Sequence, residues 1–86
     1  MTETIIYTTD NCPYCLRAKA LLQRKNINFT EIKVSDEKIK EKMIKKSGGR
    51  LTVPQIFIGK KHIGGYDDLH DLELRDQLDI LFKVTN

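Results

Sequence analysis

At 86 residues, 40% apolar and 31% charged, the chain has material for one hydrophobic core, read as one domain over residues 1–86. No apolar stretch approaches the roughly 20 residues of a membrane span, and the first residues lack the basic and apolar regions of a secretion signal; a cytoplasmic protein with no membrane partner is expected. The net charge of +3 gathers in Lys38 to Lys46 and in Arg50, Lys60 and Lys61, where lysines alternate with Ile39, Met43 and Ile44 without interleaved aromatics, the pattern of a solvated helix face rather than of a nucleic-acid surface.

Residues 3–8 have the β-branched and aromatic content of a strand, and Thr9-Asp10-Asn11 reads as a turn. Pro13 suits the first position of a helix, where its missing N–H costs no bond. Cys15, Ala18 and Leu22 then share one stripe with Leu21 beside it, while Arg17, Arg24 and Lys25 face water. Asn26 ends this helix, and Ile27 to Val34 reads as a second strand. Ser35 or Asp36 caps a second helix with Ile39, Met43 and Ile44 on its buried side and Gly48-Gly49 as its stop. Gln55 to Ile58 and Lys61 to Ile63 form a hairpin across Gly59-Lys60, and Gly64-Gly65 stops its second strand. Asp67 or Asp68 caps a third helix carrying Leu69, Leu72 and Leu74, and Leu78 to Phe82 form a last helical segment. The order β-α-β-α-β-β-α predicts an α/β domain. Its first two strands pair in parallel across a helix, and the hairpin completes a four-stranded mixed sheet flanked by helices.

Both cysteines of the chain fall in Cys12-Pro13-Tyr14-Cys15. A thiol at a helix start meets unpaired N–H groups and the positive end of the helix dipole, which favour a thiolate. Cys12 is therefore the expected nucleophile. Cys15, on the apolar stripe, keeps its proton more tightly and serves as the resolving thiol. A zinc site would need four ligands, and only His62 and His70 remain, separated by a strand end and a helix start; no metal is expected. A structural disulfide would close too small a loop to stabilise much and is rare in the cytosol, and two coincidental buried cysteines would leave Pro13 unexplained.

Two further segments carry chemistry. Thr52-Val53-Pro54 precedes a strand, a position proline tolerates; it reads equally as a simple strand start or as a cis bond that turns the Val53 backbone outward to pair with an extended peptide. Gly64-Gly65-Tyr66-Asp67-Asp68 reads as a turn and helix cap. The same parts also suit an α-amino-acid end: helix N–H groups for a carboxylate, and Asp67 or Asp68 for an ammonium.

Taken together, Cys12-Pro13-Tyr14-Cys15, Thr52-Val53-Pro54 and Gly64 to Asp68 resemble the dithiol glutaredoxins of the short bacterial type. The likeness extends through Arg17 to Leu22 and Val53 to Ile58. It implies a thioredoxin-like fold, a cis Pro54, and an enzyme that reduces glutathione mixed disulfides and protein disulfides. Glutathione would be co-substrate, with no tightly bound cofactor. By position, Cys12 would carry the mixed disulfide and Tyr14 would line the site. Val53, beside Pro54, would pair its backbone with the cysteinyl part of glutathione, and Thr52 would line the same groove. Gly65, Tyr66, Asp67 and Asp68 would hold the γ-glutamyl end. Partners implied are glutathione and glutathionylated or disulfide-containing proteins, ribonucleotide reductase being one candidate, with the enzyme working as a monomer. The family often places a lysine before the first cysteine; here Thr9 takes that place and Asp10 adds a negative charge, so Arg50 becomes the candidate for the lost carboxylate contact. Two alternative functions are a redoxin coupled to thioredoxin reductase and a carrier whose Cys12 thiolates and two glutathiones bridge an iron–sulfur cluster in a dimer. Pro13 weighs against the second by resemblance.

Overall fold

Strand β1 (Thr4–Thr8) lies inside the sheet, and four of its five residues are buried. The computed structural model describes residues 3–78, 80 and 81. Helix α1 (Pro13–Arg24), β2 (Thr30–Lys33), α2 (Glu37–Lys46), β3 (Gln55–Ile58), β4 (Lys61–Gly64) and α3 (Tyr66–Leu74) follow in order. The sheet runs β2-β1-β3-β4. β1 pairs with β2 in parallel, Tyr7 opposite Ile32, and with β3 antiparallel, Ile6 opposite Ile56. The β3–β4 hairpin carries an irregularity between Ile56 and Phe57.

Because side chains alternate along a strand, β1 and β3 supply two cores. Ile6, Ile56 and Ile58 face α1 and α3, meeting Ala18, Leu21, Leu22 and Leu69 together with Leu78. Tyr7 and Phe57 face the other way, onto Met43 of α2, with Ile39 and Ile44 packed at the edge. The sheet is thus sandwiched between α1 with α3 and α2 alone, the mixed α/β arrangement read from the chain. Leu74 is turned outward, 69% exposed, against expectation. Residues 77, 78, 80 and 81 continue in helical conformation; Phe82, assigned to the same segment, lies outside the described residues.

The second strand is shorter than its composition suggested, Thr30–Lys33 instead of 27–34. Asn26 takes a positive φ of 60°. The N–H groups of Asn26 and Ile27 then fold back onto the carbonyls of Gln23 and Leu22, closing the helix end in a Schellman turn. Ile27 and Phe29 consequently serve as core packing against the α1 face rather than as a ladder. Gly48 and Gly49 close α2 by the same pair of bonds, to Lys45 and Ile44. At its other end Asp36, not Ser35, accepts the Ile39 N–H at 2.9 Å.

Candidate functional site

The β1–α1 turn delivers Cys12 to the N-cap of α1, with extended backbone angles and Pro13 immediately after it. Its Sγ accepts the Cys15 N–H at 3.1 Å, a bond that strengthens as the sulfur gains negative charge. Cys12 is half-buried and Cys15 is buried, and neither is in a disulfide. Burial, followed by hydrogen bonding to Cys12, pushes the Cys15 thiol up to about 11; the Thr9 N–H and the Lys19 charge act in the opposite direction. The two thiols therefore stand in different environments, as their positions on the helix predicted. Asp10, expected to add negative charge here, is paired with Lys33 at 2.9 Å.

The Val53–Pro54 bond is cis, and the Val53 carbonyl lies 3.9 Å from Cys12 Sγ. Gln55, fully buried at the start of β3, fastens this loop: its Nε2 donates to the Thr52 carbonyl at 3.0 Å and approaches Thr52 Oγ1 at 3.3 Å. The amide oxygen of Gln55 meets His62 Nε2 at 2.7 Å, and the His62 ring packs on Phe57 at 4.9 Å. Burial, helped by the Arg50 charge and opposed by Asp68, lowers the His62 pKa from 6.5, so at neutral pH the ring is uncharged and gives its one N–H to Gln55. His62 thus supports a loop, a role its spacing could not announce.

Gly65 is the N-cap of α3. The expectation that Asp67 or Asp68 caps is corrected: both lie in the first turn, and Asp68 Oδ2 reaches back to accept the Gly65 N–H at 2.9 Å. Three residues' separation is the reach a carboxylate needs for this reciprocal bond. Arg50 approaches the same carboxylate at 3.7 Å and stands 3.7 Å from where a Cβ on Gly65 would sit. It therefore guards the Gly65–Asp68 end of the site. Tyr14 and Tyr66 tilt towards each other with ring centres 6.1 Å apart, and Arg17 covers the Tyr14 ring at 5.4 Å.

These parts enclose an open cavity of about 370 Å³ lined by Tyr14, Arg50, Thr52, Val53, Pro54, Gly65, Tyr66, Asp67 and Asp68. Tertiary folding thus gathers Tyr14, Thr52, Val53, Pro54 and Gly65 to Asp68 around one groove, with Cys12 beside it against the Val53 carbonyl. Among the described residues no cluster of His, Cys, Asp and Glu is arranged for a metal ion. Sequence reasoning missed Gln55, His62 and Lys19 as parts of the site's support. A polar residue inside an otherwise apolar strand was the available signal for Gln55.

Comparison with known proteins bears on the family and the fold. The family model for glutaredoxin matches residues 4–63. Glutaredoxin 1 of Rickettsia prowazekii (strain Madrid E) is 57% identical over 81 residues, covering 92% of this chain and 85% of that protein. The solution structure of a Brucella melitensis glutaredoxin superposes with a TM-score of 0.86 at 50% identity, over 100% of this chain and 94% of that one, so the fold is thioredoxin-like. A buckwheat glutaredoxin–glutathione complex superposes with a TM-score of 0.79 at 28% identity, over 90% of this chain and 73% of that one.

Proposed function

The chain belongs to the glutaredoxin family and is a thiol–disulfide oxidoreductase, and we propose that glutathione is the thiol it uses. The observation that supports this most directly is the groove beside Cys12. One wall offers the Val53 backbone next to the sulfur, suited to a cysteinyl residue in extended conformation. The far end offers the N-terminus of α3 and Arg50 to a carboxylate, and Asp67 and Asp68 to an ammonium. A γ-glutamyl group carries that pair of charges beyond a cysteine. The buckwheat relative, solved with glutathione, supports the same reading.

In the proposed reaction the Cys12 thiolate attacks the glutathione sulfur of a glutathionylated substrate. The substrate leaves as a thiol and glutathione remains on Cys12. A second glutathione attacks that mixed disulfide, releasing glutathione disulfide and restoring Cys12. With a protein disulfide, Cys12 forms the mixed disulfide with the protein and Cys15 displaces it, closing Cys12–Cys15. Cys12→Ser should abolish both reactions. Cys15→Ser should retain reduction of a small glutathione mixed disulfide and lose most protein-disulfide reduction, both followed by coupling to glutathione reductase. Equal loss of both activities in Cys15→Ser would reject the division of labour, and activity supported by thioredoxin reductase instead would reject glutathione.

A further inference from the structure

The resolving thiol faces a difficulty that the nucleophile does not. To displace a substrate from Cys12, Cys15 must act as a thiolate, yet it is 2% exposed. In the free enzyme hydrogen bonding to Cys12 and the Cys12 charge also hold the proton on Cys15; both are relieved once Cys12 is bound in a mixed disulfide, and burial remains as the obstacle. Whatever favours the Cys15 thiolate at that moment must come from elsewhere in the fold.

The surroundings offer two such groups, and both lead back to one carboxylate. Lys19 lies four residues after Cys15 in α1, on the same helical face. Its Nζ is held at 2.9 Å by Glu31 of β2. Thr8, buried at the end of β1, donates its hydroxyl to the same Glu31 oxygen at 2.6 Å. Thr8 fixes the strand end from which the next residue, Thr9, presents its backbone N–H to Cys15. Of the other charges nearby, Cys12 opposes a second thiolate. Lys33 lies 3.7 Å from Glu31 but turns to Asp10 at 2.9 Å. Lys19 is the cation that favours the Cys15 thiolate.

We propose that Lys19, anchored by Glu31, is a positioning residue for the second half of the dithiol reaction: its ammonium supports the Cys15 thiolate as that thiolate attacks the mixed disulfide on Cys12. The step is balanced within the protein and its substrate. Cys15 gives its proton to water, its sulfur bonds to Cys12 Sγ, the bond from Cys12 to the partner breaks, and the partner leaves as a thiolate that takes up a proton. The dithiol is oxidised and the substrate disulfide is reduced by the same two electrons. The inference rests on the assignment of Cys12 and Cys15 made above.

The test uses the full chain loaded with glutathione on Cys12 by glutathione disulfide. Conversion of this adduct to the Cys12–Cys15 disulfide is followed by the loss of glutathione mass after acid quenching, between about pH 7 and pH 9. Removing a charge that favours the thiolate cuts the thiolate population by up to about tenfold. The more basic sulfur recovers part of that through greater nucleophilicity, leaving a net slowing of up to about threefold. Lys19→Met should show this slowing and Lys19→Arg should not. In a Cys12→Ser background, thiolate absorbance reports Cys15 alone, and Lys19→Met should move its midpoint to higher pH while Lys19→Arg leaves it in place. An unchanged conversion rate in Lys19→Met, or slowing in both variants without a shift of the midpoint, would overturn the proposal. Cys15→Ser should hold its adduct indefinitely; loss of that adduct without added thiol would instead overturn the assignment of Cys15 as resolving thiol.

Discussion

Asp68 serves two neighbours with one carboxylate, the Gly65 N–H at 2.9 Å and the Arg50 guanidinium at 3.7 Å. Both bonds set the end of the groove where the ammonium and carboxylate of a γ-glutamyl group would lie. Asp68→Asn keeps an oxygen for the Gly65 N–H, so α3 stays capped, but removes the charge. One charge-assisted contact of about 1.5 kcal/mol corresponds to roughly tenfold in affinity. The expected outcome is a tenfold higher KM for glutathione with kcat little changed, measured in the glutathione-reductase-coupled assay. A fall in kcat at constant KM would remove Asp68 from the binding end. The same reasoning separates Cys12 from Cys15: identical side chains three residues apart differ because one caps a helix and the other faces the core.

At the scale of elements, the site depends on how helices and strands end. Gly64 closes β4 with a φ of 119°, and a Cβ there would run into the Asp68 carboxylate. Gly64→Ala therefore combines a backbone region that glycine alone enters readily with displacement of the group that caps α3. A stability loss of about 2 kcal/mol is expected in urea unfolding, together with a raised KM for glutathione. Asp36→Ala, at the start of α2 away from the groove, should cost about 1 kcal/mol and leave KM alone. If both variants raised KM alike, general loosening rather than the Gly64–Asp68 geometry would be responsible.

For the molecule as a whole, Glu31 joins three elements by accepting from Thr8 of β1 and Lys19 of α1 while standing in β2. The Thr8 hydroxyl first, and Lys19 next, hold its carboxyl below the ordinary value of 4.5. The unfolded chain therefore takes up this proton more readily than the folded one. The associated stability is present at neutral pH and drains away as pH falls through 4.5 and then through the lower folded value. Melting temperatures of the wild type should drop more steeply than those of Glu31→Gln between about pH 5 and about pH 3, the two curves converging at the acid end. Parallel curves would show that Glu31 is not linked to acid unfolding.

The chain by itself determined the element order, the sheet's composition and the location of all three chemical segments, because these rest on local causes: alternation, helical stripes, the proline at a helix start, and two thiols in one turn. It also fixed which cysteine stands at the helix end. It misjudged the start of β2, where the left-handed Asn26 and its Schellman bonds spend Ile27 and Phe29 on core packing, and it placed the α3 cap on the aspartates when Asp68 acts back on Gly65. Only the tertiary structure decided what lies across from what. That Val53 stands against Cys12, that Arg50 sits at the Asp68 end, that Gln55 and His62 brace the loop, and that Glu31 of β2 holds Lys19 of α1 all follow from strands and helices far apart in the chain meeting in one fold. Such contacts leave no periodic trace in the sequence, since one residue of each type at one position suffices to make them.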